Sequence, residues 1–119
     1  MKKNILYLLS LFSLLFVMSA CSKVSDDDLR AAHKAYKNGA IIVDVRTREE
    51  YRENHVDKSV NIPLQILDKY VEHLPLDKEI IVYCRTGSRS KMAAEYLTKH
   101  GFVVHDVATQ ADWERKLPH

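Results

Sequence analysis

Short apolar runs alternate with amphipathic stretches along most of this chain. Apolar runs rich in β-branched residues occupy 41–45, 60–62, 80–83 and 102–104. Such runs are typical of strands that a sheet buries on both faces. Between them, apolar residues recur at the spacing of one helical face. The predicted helices begin after the N-caps Ser25 and Thr47, and three more are predicted at 64–74, 88–100 and 110–117.

The alternation of strands and helices predicts the fold class. Strands that alternate with helices form a mostly parallel sheet with helices on both faces. We therefore expect a three-layer α/β/α domain over residues 26–117, with a central sheet of about five short strands. The fifth strand would be a minor edge strand at Val24.

The first 20 residues have the layout of a secretory signal. Lys2 and Lys3 precede an apolar stretch, Ile5–Met18, which is shorter than the roughly 20 residues that a membrane span needs. The segment Val17–Cys21 resembles the lipobox of bacterial lipoproteins. That resemblance implies a signal peptide at 1–20, lipidation of Cys21, a tether at 21–25 and a membrane-anchored protein of the cell envelope. Ordinary cleavage near Ala20, giving a soluble periplasmic protein, is the alternative.

Charge and cysteine content exclude several function classes. The chain has 18 Lys and Arg and 16 Asp and Glu, and without Lys2 and Lys3 the rest holds 16 of each. A neutral domain lacks the excess positive charge that nucleic-acid binding requires. Only Cys21 and Cys84 are present, and the histidines show no metal-binding spacing, so we expect neither a metal site nor a cofactor. If Cys21 carries lipid, Cys84 has no disulfide partner.

The candidate chemistry lies in the loop Cys84–Arg89, between a buried strand and a helix. Open α/β sheets bind ligands at the carboxyl ends of their strands. The N–H groups of the loop and of the helix start, together with Arg85 and Arg89, favour a thiolate at Cys84 and an anion beside it. The alternative is a cysteine that serves only as a small buried apolar residue.

The length of this loop favours the binding of a sulfur atom over the binding of a phosphate group. Cysteine phosphatases place five residues between the cysteine and the arginine of their loop, whereas four lie between Cys84 and Arg89. The next position is Ser90, which has no guanidinium group. A tighter ring suits a single sulfur atom better than a tetrahedral phosphate.

Several motifs in the same order resemble the single-domain rhodanese family of thiosulfate sulfurtransferases. The loop matches the pattern Cys-Arg-x-Gly-x-Arg. The segments Asp44–Arg46 with Glu50–Tyr51, and His55–Val56 with Val60–Pro63, resemble the family's upstream motifs. The resemblance covers residues 24–117. The chain departs from the family at Asn54, at Asp57–Ser59 and at Ala108–Thr109, where the family usually has two glycines.

The resemblance implies a mechanism and a set of site residues. The Cys84 thiolate takes the sulfane sulfur of thiosulfate or polysulfide as a persulfide and passes it to cyanide or a thiol. Arg85 would attract the anionic donor at the pocket mouth, and Arg89 would brace the loop by bonding its carbonyls. The predicted substrate-binding residues are Arg85, Thr86, Gly87, Ser88, Arg89 and Arg46.

Simpler interpretations stand beside these assignments. Arg46 can instead form a structural ion pair with Asp44, and Glu49 and Glu50 can serve only as charges at a helix start. His55 is expected to fix a turn. At the level of the whole protein, the alternatives are a non-catalytic rhodanese-like sulfur carrier or partner-binding module, and, less favoured by the loop length, a cysteine phosphatase or arsenate reductase.

Overall fold

The computed structural model of this protein describes residues 24–119. The predicted signal peptide, Cys21 and the first residues of the tether lie outside the described residues. In the described part, no helix is long and apolar enough to cross a membrane.

The described residues form four strands, five helices and two 3₁₀ turns. The strands are β1 (Ile41–Asp44), β2 (Val60–Asn61), β3 (Ile80–Cys84) and β4 (Val104–Thr109). The helices are α1 (Asp26–Lys37), α2 (Arg48–Glu53), α3 (Leu67–Tyr70), α4 (Ser88–Lys99) and α5 (Gln110–Glu114), and the 3₁₀ turns are Leu64–Ile66 and Val71–His73.

The four strands form one parallel sheet in the order β2-β1-β3-β4. The predicted α/β class and parallel sheet are confirmed, but over residues 24–119 the sheet has four strands rather than about five. Val24 lies outside any strand. Its carbonyl accepts a hydrogen bond from Arg115 Nη2 at 2.6 Å, and its side chain packs against the buried apolar cluster that contains Leu29 and Ala32. The segment is therefore held by the C-terminal residues and not by the sheet.

Each face of the sheet buries its own apolar cluster. Along β3, Ile80, Val82 and Cys84 point to one face, and Ile81 and Tyr83 point to the other. All five are at most 1% exposed, because successive side chains of a strand alternate between faces and both faces here are covered. The first cluster is completed by Val43, Val45, Leu67, Ala93 and Leu97, and the second by Leu29, Ala32, Ile42 and Val107.

The last strand is longer than its apolar pattern predicts. It was expected at 102–104 but begins at Val104 and continues to Thr109. Phe102 still belongs to the helix end, since its N–H donates to Leu97 O at 3.2 Å. The added residues include His105 and Asp106, which are polar and half-buried at the edge of the sheet. An edge strand needs less apolar surface than a central one, so its pattern is weaker.

Two predicted helices are shorter or less regular than expected. The stretch 64–74 is a 3₁₀ turn, the single turn α3 and a second 3₁₀ turn, with no side-chain cap at any start. It still buries Leu67 and Val71, four residues apart. The terminal helix ends at Glu114, because Arg115 is extended. Trp113 packs edge-on against His33, with ring centroids 4.3 Å apart.

Candidate active site at the end of the central strand

Cys84 is the last residue of β3 and its sulfur accepts two backbone hydrogen bonds. Gly87 N lies 3.0 Å from Cys84 Sγ and Ser90 N lies 3.3 Å from it. The residue is 1% exposed. Backbone N–H groups that converge on one atom stabilise negative charge there. The arrangement therefore suits a thiolate, or the terminal sulfur of a longer sulfur chain, at this position.

The loop reaches this geometry through a left-handed glycine. Gly87 has φ of 103°, a conformation that a side chain disfavours. A β-carbon built at Gly87 would lie 3.3 Å from the Ala108 methyl group. Ala108 is itself left-handed, with φ of 63°, and its N–H donates to Asp106 Oδ1 at 2.9 Å. The Ala108–Thr109 departure thus places a methyl group directly against the loop.

Glu50 has a larger role in the site than the sequence indicated. It closes a capping box with Thr47 at the start of α2, as a helix N-terminal charge would. Its carboxylate also binds both arginines of the loop. Two signals pointed to it: the Thr47–Glu50 spacing and its place in the Glu50–Tyr51 motif.

Arg89 forms a two-pronged ion pair with Glu50. Arg89 Nη1 lies 2.7 Å from Glu50 Oε1, and Nη2 lies 3.0 Å from Oε2. The Arg89 hydrogen bonds hold the pKa of Glu50 well below its usual range, against the opposing effect of burial, and the same bonds raise the pKa of Arg89. We expected Arg89 to brace the loop through carbonyls; its partner is instead a carboxylate on α2.

The other predicted loop residues are exposed and make few contacts. Arg85 Nε donates to Glu50 Oε2 at 3.0 Å, and 61% of the Arg85 side chain is exposed. The hydroxyls of Thr86 and Ser88 lie 3.4 Å from each other. Their substrate contacts, like that of Arg85, stay predictions.

Arg46 belongs to a buried ion pair beneath the loop. Its Nε lies 3.0 Å from both carboxylate oxygens of Asp44, and its Nη2 lies 2.7 Å from Asp44 Oδ2 and 2.6 Å from the Asn54 carbonyl. Asp44 is fully buried. The structural ion pair is thus present. A substrate contact by Arg46 would have to use Nη1, and it stays a prediction.

Tyr83 and His55 complete the support around the site. The Tyr83 hydroxyl donates to Asp44 Oδ2 at 2.6 Å and accepts from Val56 N at 3.0 Å. Burial raises the pKa of Tyr83 to about 12, so this hydroxyl remains a donor at neutral pH. The ring of His55 stacks on that of Tyr51 at 3.7 Å and its Nδ1 lies 2.7 Å from Tyr51 O, so His55 is held against α2; its part in fixing a turn stays a prediction. Over residues 24–119, no cluster of three or more His, Cys, Asp or Glu side chains could hold a metal ion.

Comparison with known proteins identifies relatives of this domain. The family model described as "Rhodanese-like domain" matches residues 26–109. The chain is 42% identical over 82 residues to the probable molybdopterin-synthase adenylyltransferase of Porphyra purpurea, and 40% identical over 77 residues to the putative sulfur carrier protein YrkF of Bacillus subtilis. These matches cover 66% and 63% of this chain but only 22% and 42% of the relatives. The chain thus spans less than half the length of either relative.

Shorter relatives match over more of their own length. The chain is 35% identical over 66 residues to the thiosulfate sulfurtransferase GlpE of Pseudomonas savastanoi, which covers 56% of this chain and 62% of that protein. The crystal structure of a rhodanese-related protein from Thermoplasma volcanium is 31% identical, with a TM-score of 0.63, and the match covers 81% of this chain and 94% of that one. The likeness therefore extends to a protein of nearly the same size.

Proposed function

This chain belongs to the rhodanese-like domain family, and from that premise we propose that it is a sulfurtransferase that carries sulfane sulfur on Cys84. The observation that carries the proposal is the pair of N–H groups, from Gly87 and Ser90, that converge on Cys84 Sγ. They would stabilise the charge of a thiolate before transfer and of a persulfide after it.

The proposed cycle has two steps. The Cys84 thiolate attacks the outer sulfur of thiosulfate; a new sulfur–sulfur bond forms, and the old one breaks with its electron pair leaving on sulfite. The Cys84 persulfide then gives its terminal sulfur to cyanide, which forms thiocyanate and restores the thiolate. With a thiol as acceptor, the sulfur passes to the acceptor in the same way.

A sulfur carrier is a second candidate function with equal support. The relative YrkF is a putative sulfur carrier, at 40% identity. A carrier would also form the Cys84 persulfide, but it would hand the sulfur to a partner protein and would turn over slowly with small acceptors. Polysulfide, or the thiol of another protein, would then be the donor.

Intact-mass measurement tests the shared first step. The protein is incubated with thiosulfate or polysulfide, and its mass is recorded before and after cyanide. We expect a gain of one sulfur atom that cyanide removes, and no gain in Cys84→Ser. The matched control Cys21→Ser should gain the sulfur as the wild type does. A wild-type protein that takes up no sulfur from any donor would refute both candidates.

Two further assays separate the alternatives. Steady turnover with excess thiosulfate and cyanide supports the enzyme, whereas a single uptake without turnover supports the carrier. Hydrolysis of a phosphate ester by the wild type but not by Cys84→Ser would instead support a phosphatase. Ser90 argues against that activity, because it stands where a phosphatase has its arginine and its N–H is already directed at Cys84 Sγ.

For the location of the protein, we propose the cell envelope. The support is the order of Lys2, Lys3, the apolar stretch 5–18 and Cys21 in the sequence. Lipid on Cys21 would anchor the domain to a membrane surface through a short tether.

A further inference from the structure

Within residues 24–119, the Arg85 side chain makes its hydrogen bond to protein through Nε alone. Its Nε donates to Glu50 Oε2 at 3.0 Å. Over that range, neither terminal nitrogen of Arg85 makes a protein hydrogen bond. A guanidinium group is planar, so a bond at Nε restricts its orientation and leaves the N–H groups of the two terminal nitrogens as a fork that can bind a ligand.

The carboxylate that holds Arg85 is itself held from three sides. Glu50 Oε1 accepts from Arg89 Nη1 at 2.7 Å, and from Thr47 N and Thr47 Oγ1, each at 3.1 Å. Arg89 Nη2 reaches the other oxygen at 3.0 Å. The Glu50 carboxylate is therefore held in one position between α2 and the loop. That position limits the orientations that the Arg85 side chain can adopt.

The two loop arginines thus have different capacities for a ligand. Both terminal nitrogens of Arg89 are bound to Glu50, and 29% of its side chain is exposed. Arg85 is more exposed, is the residue directly after Cys84, and keeps its terminal fork unbound by protein. A fork of two N–H groups matches two oxygens of an oxyanion.

From this geometry we infer that Glu50 is a positioning residue, which orients the Arg85 fork to bind the oxygens of an anionic sulfur donor beside Cys84. The inference rests on the proposed function and, of the two donors named there, favours thiosulfate, because polysulfide has no oxygens for the fork to bind. It also separates the two half-reactions. Uptake of sulfur from the anion should depend on Glu50, whereas transfer from the persulfide to a neutral thiol should not.

A double-mutant cycle tests whether Glu50 acts through Arg85. The variants are Glu50→Gln, Arg85→Ala and the combination, and kcat/KM for thiosulfate is measured for each. We expect Glu50→Gln to lower kcat/KM about tenfold, through a higher KM, since orienting the fork accounts for about one charge-assisted contact. In the Arg85→Ala background, the same substitution should change kcat/KM by no more than about twofold.

Three controls accompany the cycle. Glu49→Gln removes the same charge from the neighbouring, exposed position and should keep kcat/KM within about twofold of the wild type. The rate of sulfur transfer from the Cys84 persulfide to dithiothreitol should be unchanged in Glu50→Gln. Arg85→Lys keeps a positive charge without the fork, and it should lose as much kcat/KM for thiosulfate as Arg85→Ala.

Several results would overturn the inference. Equal losses from Glu50→Gln with and without Arg85 would mean that Glu50 acts through Arg89 or loop stability. A loss in the dithiothreitol step would mean the same. If Glu50→Gln does not fold, wild-type kcat/KM in Arg85→Lys would refute the role of the fork. A wild type that takes sulfur from polysulfide but none from thiosulfate would refute this inference and leave the proposed function standing, as would an active wild type with additive variants. A wild type that takes sulfur from neither donor would refute both.

Discussion

At the scale of single residues, the Tyr83 hydroxyl joins three parts of the chain that lie under the active loop. It stands on the central strand, donates to Asp44 on β1 and accepts from the N–H of Val56 in the turn before β2. All of these groups are buried. A buried donor or acceptor that loses its partner keeps the cost of having left water.

Tyr83→Phe should therefore lower the free energy of unfolding by about 1–3 kcal/mol. The ring still fills its place, so the loss reports on the hydroxyl alone. Urea unfolding measures it, with Tyr36→Phe as control, because the Tyr36 hydroxyl makes no hydrogen bond within the described chain. A loss equal to that of the control would show that the Asp44 and Val56 groups find other partners. Sulfur uptake by Cys84 should persist, since Tyr83 does not touch its sulfur.

The residue scale is also where sequence reasoning was least complete. The Cys84 loop and the Asp44–Arg46 pair could be found because each is local: a strand end, a glycine, two charges close in sequence. The contact of Glu50 with Arg85 and Arg89 joins residues 35 and 39 positions apart. It depends on where α2 packs after β1, and no local pattern encodes that position.

At the scale of elements, the pair Glu50–Arg89 ties α2 to the start of α4. The folded state holds the pKa of Glu50 below its ordinary value of about 4.5. A carboxyl whose pKa is lower in the folded than in the unfolded state stabilises the fold above the unfolded value, and that stabilisation is lost as the pH falls toward the folded value.

We therefore expect Glu50→Gln to cost about 1 kcal/mol of unfolding free energy near neutral pH. The cost should be constant down to about pH 4.5 and then shrink as the solution becomes more acidic, because the wild type alone loses the ion pair. Urea unfolding on both sides of that pH measures the difference. Glu49→Gln, on the exposed side of the same helix, should give a small difference. A cost that does not change in acid would contradict the assigned partner.

The more deeply a strand or helix is buried, the more accurately its bounds could be predicted from the sequence. β1 and β3 are buried on both faces, and their apolar runs identified them to within one residue. β4 has one buried residue, Val107, among half-buried neighbours, so its outer half carried no apolar signal. The stretch 64–74 has helical spacing without side-chain caps, and spacing alone does not distinguish one helix from three successive turns.

At the scale of the whole molecule, the sequence predicts different roles for the two cysteines. Cys84 lies in the described domain, and Cys21 lies outside it. If Cys21 carries the anchor, Cys21→Ala should move the protein from the membrane fraction to the soluble fraction of the producing bacterium. Sulfur uptake per molecule should not change, because Cys84 and its hydrogen-bond donors lie within 84–90. Cell fractionation and intact mass measure both.

The matched control for the anchor is Cys84→Ala, which should stay with the membrane while losing sulfur uptake. A Cys21→Ala variant that remains in the membrane fraction would show that the apolar stretch 5–18 holds the protein there. A wild type found only in the soluble fraction would support cleavage near Ala20.

Because Cys84 is deeply buried, the protein with a bare Cys84 thiol and the protein with a Cys84 persulfide should differ in the reactivity of their surfaces. At 1% exposure, the bare thiol is shielded from bulky disulfides and alkylating reagents, which must reach the sulfur to react. A persulfide would lengthen the side chain by one sulfur–sulfur bond of about 2 Å, so its reactive end would lie that much farther from the buried strand end. The terminal sulfur of the persulfide would thus be accessible while Cys84 Sγ stays buried. Large acceptors would then react with the persulfide form and not with the bare thiol.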